Sequence, residues 1–224
     1  MTFDSAISSL KRGEFVMIHD SDGRENEIDM VVAAELVTPE HIVRMRKHAG
    51  GLICLAIDNM LAEKLQLKYM HNMLSLSNQL DEESKKMIMG TAPYGDHPTF
   101  SISINHKQTY TGITDRDRAL TIKEMSTLYQ KENPKQFFNS TFKTPGHVPL
   151  LIASNGLLSS RTGHTEMSVY LTQLANLSPI TAICEMMDSE TYSALSVDKA
   201  EKYAKENAIP FIDGKELLEF SKVN

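Results

Sequence analysis

Apolar residues along this chain gather in short, dense runs whose lengths predict most of its elements. Phe15-Val16-Met17-Ile18, Met30-Val31-Val32-Ala33-Ala34 and Leu52-Ile53-Cys54-Leu55-Ala56-Ile57 show no polar alternation. Runs this short and uniform read as strands buried on both faces, at about 15–19, 28–36 and 52–57. Phe100, Ile102 and Ile104 alternate with Ser101 and Ser103, the pattern of a half-buried strand. Further strands are expected at 148–153, 181–187 and 210–212, with Pro149 placing the first at an edge or near its start.

Between these runs the spacing turns helical. Thr2 or Asp4 can cap a first helix with Phe3, Ile7 and Leu10 on one face and a stop at Gly13. Thr38-Pro39-Glu40 opens a helix that carries Ile42, Met45 and Ala49 inward and ends at Gly50-Gly51. Asp58 or Asn59 caps a short helix through Leu65, and Thr121 with Glu124 forms a capping box ahead of Ile122, Met125 and Leu128. A helix over 162–176 buries Met167, Tyr170, Leu171 and Leu174, and one over 196–206 aligns Val197, Ala200, Tyr203 and Ala204. Asp213 and Glu216 cap the last helix, while 133–146 reads as irregular.

From 68 to 98 the period is lost, 81–86 is a solvated charge cluster, and Pro93, Gly95 and Pro98 punctuate a loop. That stretch is expected to be a surface excursion or lid. Without internal repeats or a Gly/Ser-rich linker, the chain is expected to form one α+β domain over 1–224. Its architecture is then three layers, a mixed α/β arrangement with a central sheet covered by helices on both faces.

The polar pattern is most unusual between the first two strands. Asp20-Ser21-Asp22-Gly23-Arg24-Glu25-Asn26-Glu27-Ile28-Asp29 holds five carboxylates and one arginine in ten residues. A charge run is ordinarily a solvated face. Here core strands hold it at both ends, so the carboxylates repel one another unless a cation, an arginine or protons intervene. It is not an EF-hand loop, because Arg24, Glu25 and Val31 stand where Asp or Asn, Gly and Glu are needed.

Arg161-Thr162-Gly163-His164-Thr165-Glu166 precedes an amphipathic helix. A helix start offers unpaired N–H groups and partial positive charge, so with Arg161, the threonine hydroxyls and Gly163 it can clamp a phosphate. The same residues also read as an ordinary start with a capping threonine, and local sequence alone favours that reading. His164 does not face the core with Met167 and Leu171; it becomes a metal ligand only if the acidic loop lies beside it. Glu185 is an acid inside the apolar run Ala182-Ile183-Cys184-Glu185-Met186-Met187. It is either an exposed strand end or, near other carboxylates, a proton shuttle. His147, in Thr144-Pro145-Gly146-His147, reads as a surface turn histidine.

Composition narrows the classes. A net charge of −6 argues against broad nucleic-acid or anionic-membrane binding. Cys54 and Cys184 lie in apolar runs, as buried thiols of a reducing compartment do. No basic-then-apolar leader opens the chain and no run nears the ~18 apolar residues of a span, so a cytoplasmic, soluble protein is expected. Nucleophile-elbow, Walker, dinucleotide, His-Glu-x-x-His and Cys-x-x-Cys templates are absent.

Taken together, the acidic loop, Ala49-Gly50-Gly51-Leu52-Ile53-Cys54, Thr111-Gly112-Ile113 through Asp117-Arg118-Ala119, Pro145-Gly146-His147-Val148, the Arg161–Glu166 motif and Ile183-Cys184-Glu185 closely resemble the 3,4-dihydroxy-2-butanone 4-phosphate synthases. These are lyases of the riboflavin pathway, and the likeness is to the single-function form. The 68–98 stretch is longer than in bacterial members, and Met89-Gly90-Thr91-Ala92-Pro93-Tyr94 stands where they carry Asn-Asn-Thr, as in the archaeal branch. The resemblance implies a Mg2+-dependent reaction, with Mn2+ as a substitute and two divalent ions per site, on D-ribulose 5-phosphate. The products are L-3,4-dihydroxy-2-butanone 4-phosphate and formate. It implies Glu25 and His164 as metal ligands, with Arg24, Glu25, Asp29, Arg161, Thr162, Gly163, His164 and Thr165 at the substrate. It also implies catalytic roles for Glu185 and His147, and a homodimer with sites at the interface, where Thr111 reaches the partner. Glu27, with Asp20 and Asp22, supplies further loop acids and bases for enolising a ketose phosphate. Another sugar-phosphate isomerase, a nucleic-acid-binding module on a similar fold and a Cys54 redox sensor are the competing readings.

Overall fold

The computed structural model describes residues 3–88 and 90–223. Thr2, one of the two caps expected for the first helix, and Met89 lie outside them. Nine strands are defined among the described residues: β1 (Val16–His19), β2 (Ile28–Ala33), β3 (Cys54–Ile57), β4 (Phe100–His106), β5 (Phe142–Ile152), β6 (Ile180–Glu185), β7 (Met187–Asp188), β8 (Ser193–Ala194) and β9 (Phe211–Asp213). The helices are α1 (Phe3–Lys11), α2 (Pro39–Arg44), α3 (Asn59–Leu65), α4 (Met70–Ser75), α5 (Glu82–Lys85), α6 (Asp115–Ser126), α7 (Pro134–Thr141), α8 (His164–Leu174), α9 (Val197–Glu206) and α10 (Gly214–Val223).

Seven strands form one mixed sheet in the order β4-β5-β3-β6-β2-β1-β9. Pairs β1–β2, β2–β6, β3–β6 and β4–β5 are antiparallel, and β3–β5 and β1–β9 are parallel. The continuous apolar runs serve both faces by side-chain alternation. Val16, Ile18, Val31 and Ile183 pack with Leu10 of α1, Met167 and Leu171 of α8 and Leu217 of α10. Met17, Met30, Leu55, Leu150 and Cys184 pack with Ile42 of α2, Ile122 and Met125 of α6 and Ala200 and Ala204 of α9. The expected three-layer α+β architecture is therefore present.

Several local expectations are corrected. α6 begins six residues before Thr121: Thr114 is its cap, accepting the Asp117 N–H at 3.1 Å. Thr121 lies buried inside the helix, its hydroxyl donating to the Asp117 carbonyl at 2.9 Å. Residues 134–141, read as irregular, form α7, for which Asn133 caps the Gln136 N–H and Pro134 takes the first turn. Phe142 then begins β5 at once, so His147 stands in a strand and not on a turn. Residues 34–36 leave the strand as a 3-10 turn, and the helix begun by α2 widens into a π turn over Met45–Ala49.

The registers bring one end of the sheet together. His19 pairs with Ile28, and Asp29 pairs with Glu185. The C-terminal ends of β1 and β6 thus meet the N-terminal ends of β2, β3 and β5. The acidic loop and Glu185 fall at this end, and His164 of α8 reaches it through Glu25 and the Glu27 carbonyl.

Candidate active site

The acidic loop is folded by one of its own carboxylates. Asp20, 1% exposed, accepts the Glu25 N–H at 2.9 Å and the Glu27 N–H at 3.1 Å, and takes Arg24 Nη1 at 3.1 Å. Asn26 adopts a left-handed conformation (φ 54°), which asparagine tolerates, and its side chain meets His19 at 3.0 Å. Asp22 is different: it is exposed and pairs with Lys215, the ordinary solvated behaviour of a charge run. The crowding is thereby sorted, with Glu25, Glu27 and Asp29 left for the interior.

Glu25 meets His164, the first residue of α8. Its Oε2 lies 3.2 Å from His164 Nδ1 and 2.9 Å from Arg24 Nη1, and its Oε1 accepts the Tyr94 hydroxyl at 2.6 Å. His164 is 5% exposed, and its Nε2 faces the Glu27 carbonyl at 3.1 Å. That carbonyl only accepts, so Nε2 carries a hydrogen. Nδ1 then faces a carboxylate oxygen, which also only accepts. No neutral imidazole satisfies both contacts; a proton or a metal ion must stand between Nδ1 and Glu25.

The electrostatics follow from this packing. Burial works against the charged His164, but Asp29, the Glu25 hydrogen bond and Asp20 outweigh it and raise the imidazole to about 9. Burial also works against ionised Glu25, yet His164, Tyr94 and Arg24 hold it well below the usual carboxylate range. Asp29, on β2 and 2% exposed, is lifted by burial to about 7; His164 opposes the rise and Glu185 and Glu25 add to it. Its Oδ1 has no hydrogen-bond partner and lies 4.0 Å from His164 Nε2. Glu27 is raised as well, by burial first and then by the charges of Glu25 and Glu185.

These residues suit a small divalent cation. Ligand atoms of Asp20, Glu25 and His164 all lie within 4.8 Å of one another. The 3.2 Å between Nδ1 and Oε2 matches two adjacent ligands of an ion with bonds of about 2.1 Å, which stand about 3 Å apart. The Nε2–H contact to a backbone carbonyl is the outer-shell partner that metal-bound histidines make. Because His164 stays protonated up to about pH 9, an ion taking Nδ1 must displace a proton. Divalent-ion affinity is therefore expected to rise about tenfold per pH unit through neutrality and level off near 9, with a proton released on binding. Calorimetry in two buffers of different ionisation heat checks this, and a pH-independent affinity contradicts it.

Beside the carboxylates lies a cationic half. α8 starts after Gly163 with no side-chain cap, so neither Thr162 nor Thr165 performs the capping that local sequence favoured. Thr162 is half-buried, and buried Thr165 instead meets the Thr99 hydroxyl at 3.2 Å. A Cβ on Gly163 would fall 2.2 Å from Arg161 Nη1 and 2.8 Å from Arg24 Nη2, so only glycine lets the two guanidiniums converge over the helix start. Arg161 is held from behind by Glu166, fully buried, at 2.6 Å, and Glu166 also accepts the Ser154 N–H. Arg24 Nη2 and Arg161 Nε have no hydrogen-bond acceptor. Two guanidiniums and an open helix N-terminus form an anion cradle.

Glu185 ends β6 opposite Asp29 and accepts the Leu52 N–H at 2.8 Å. His147 stands two strands away at the same end of the sheet, exposed, held by its N–H to Asn105 Oδ1 at 2.8 Å and its Nδ1 to Asn105 Nδ2 at 3.1 Å. The turn carrying exposed Thr111 packs Gly112 on that same asparagine. Sequence reasoning missed Tyr94, Asp96, Asn105 and the tie made by Glu166. Only Glu166 had a signal, since it closes the quoted helix-start motif; the others act through contacts across tens of residues.

Solved structures share this architecture. A 3,4-dihydroxy-2-butanone 4-phosphate synthase in complex with two magnesium ions superposes with a TM-score of 0.81 at 28% identity, covering 100% of this chain and 98% of that one. The synthase of Candida albicans gives a TM-score of 0.77 at 31% identity, covering 98% and 97%. The fold is that of this class of synthases. A family model described as 3,4-dihydroxy-2-butanone 4-phosphate synthase matches residues 4–220. The synthase of Methanothermobacter thermautotrophicus is 44% identical over 214 residues, 96% of this chain and 93% of its own. The chain belongs to the 3,4-dihydroxy-2-butanone 4-phosphate synthase family, whose members act in riboflavin biosynthesis, and its archaeal relatives stand at 39–44% identity.

Proposed function

We propose that the protein is a lyase that converts D-ribulose 5-phosphate to L-3,4-dihydroxy-2-butanone 4-phosphate and formate, using Mg2+ with Mn2+ as a substitute. The observation that carries this reading is the facing pair of Glu25 and His164, which needs a proton or a metal ion between them and has the spacing of two adjacent ligands of one small divalent ion. A divalent ion there supplies a Lewis acid for vicinal substrate oxygens and stabilises the charge that develops on enolisation. The relative solved with two magnesium ions supports two ions per site.

The chain's own residues provide the rest. Arg24, Arg161, Thr162, Gly163 and Thr165 hold the phosphate at the helix start, which orients the sugar without joining the chemistry. Asp29, lifted to about 7, gives and takes protons near neutrality, and Glu27 and Glu185 flank it. Loss of one carbon as formate leaves the four-carbon product, so the skeleton balances. His147 serves from the rim of the site. The 68–98 segment covers the site, a role supported by the reach of Tyr94 and Asp96 into it.

The protein works as a cytoplasmic homodimer with its sites at the interface. Exposed Leu52, Ile113 and Tyr110 lie near the same end of the sheet and offer apolar surface beside Thr111 and His147. Incubation with D-ribulose 5-phosphate and Mg2+ tests the reaction: stoichiometric formate is expected. Conversion of the sugar without formate would point to an isomerase and overturn the lyase reading.

A further inference from the structure

Asp96 occupies the anion cradle. Its Oδ2 lies 3.0 Å from Arg24 Nε and 3.5 Å from Arg161 Nε, so one carboxylate bridges both guanidiniums. The two arginine side chains are only 7% and 12% exposed and converge over Gly163; Asp20 and Glu25 pair with Arg24 and Glu166 with Arg161, and Asp96 alone pairs with both. Two residues earlier, the Tyr94 hydroxyl donates to Glu25 at 2.6 Å, and its ring lies 4.7 Å from the Arg24 guanidinium carbon. One tight turn carries both groups. The Ala92 N–H bonds the Asp96 carbonyl at 2.7 Å, and the Gly95 N–H bonds the Ala92 carbonyl at 2.8 Å. Gly95 has φ 95°, a conformation that suits glycine. Behind the turn, Asp96 and Arg161 wall a cavity of about 690 Å³ that also exposes Tyr69, His71, Ser154 and Ser160.

We propose that Asp96 is a specificity-determining residue: its carboxylate holds the place of the substrate's phosphate between Arg24 and Arg161, as a competitor built into the chain. This rests on the phosphate-binding role of the cradle proposed above. A carboxylate brings one negative charge and two oxygens. A phosphate monoester near pH 7 brings almost two charges and three oxygens, and it displaces the carboxylate where a neutral sugar or a weak monoanion does not. Departure of Asp96 carries Tyr94 away from Glu25, because both ride on the same turn. Anion binding and cation binding at Glu25 therefore favour each other.

The test is binding of inorganic phosphate and of acetate to the full chain, wild type against Asp96→Asn and Asp96→Ser. It is followed by calorimetry at pH 8, with and without Mg2+. Removing an internal competitor that fills the cradle about nine-tenths of the time raises phosphate affinity about tenfold. Both variants are expected to show that gain, to take up acetate that the wild type refuses, and to lose most of the mutual enhancement between phosphate and Mg2+. Asp96→Glu keeps the charge and is expected to remain close to wild type. The turn is closed by the Asp96 main chain, so the variants retain it, and an unchanged Tm confirms this. Phosphate affinity that stays the same or falls in both neutral variants overturns the proposal, since a group that merely positions the arginines gives that result. The readout is binding and not turnover, so absence of formate release would count against the lyase reading alone.

Discussion

Replacing His164 by alanine, or Glu25 by glutamine, is expected to lower formate release by about a thousandfold or more, with the fold retained. The geometry sets the size of the effect. Nδ1 of His164 and Oε2 of Glu25 stand 3.2 Å apart on elements joined only by tertiary packing, and each would supply one ligand to the proposed cation. Loss of either ligand removes several kcal/mol of transition-state charge stabilisation, and about 4 kcal/mol is a factor of about a thousand in rate. Glu25→Gln keeps the shape and an acceptor for the Tyr94 hydroxyl while removing the charge. Steady-state formate assays at saturating Mg2+ check the rates, and near-ultraviolet circular dichroism checks the fold. A rate near wild type in either variant contradicts the assignment.

Glu185→Gln is expected to cut kcat by about a hundredfold to ten-thousandfold, with little change in KM, the signature of a lost acid–base group. Glu185 stands at the end of β6, opposite Asp29, with the Leu52 N–H on its Oε2 at 2.8 Å. The same position can be disturbed from outside. A Cβ on Gly51 would fall 2.5 Å from that oxygen and 2.6 Å from the Glu185 carbonyl, so Gly51→Ala is expected to lower kcat with the charge still present. A change confined to KM in Glu185→Gln would remove the residue from the chemistry.

What the sequence made legible is what local physics controls. Val16, Met30 and Leu55 lie in runs too short for helices and too uniform for exposed strands, and each is fully buried in the sheet. The acidic loop was legible as crowded, but not how the crowding resolves. Asp20 looks no different from Asp22 in the sequence, yet one ties two N–H groups of the loop and the other meets Lys215 in solvent. α7 was missed although Asn133-Pro134 carries a start signal, because its few apolar residues gave no clear period. Thr121 misled for the opposite reason. Its spacing to Glu124 imitates a cap, while Thr114 seven residues earlier performs the capping. His147 sits in a strand despite Pro145 and Gly146, which read as a turn. Tyr94 and Asp96 were invisible because their partners lie about seventy residues away, beyond any periodicity.

The proposed reaction requires a cation held jointly by the loop carboxylate and the imidazole at the start of α8. Pulsed electron paramagnetic resonance of the protein loaded with Mn2+ examines that bond without reference to turnover. Coupling to a single imidazole nitrogen is expected in the wild type and its disappearance in His164→Ala. Bound Mn2+ with no nitrogen coupling, or coupling that survives the loss of His164, would contradict it.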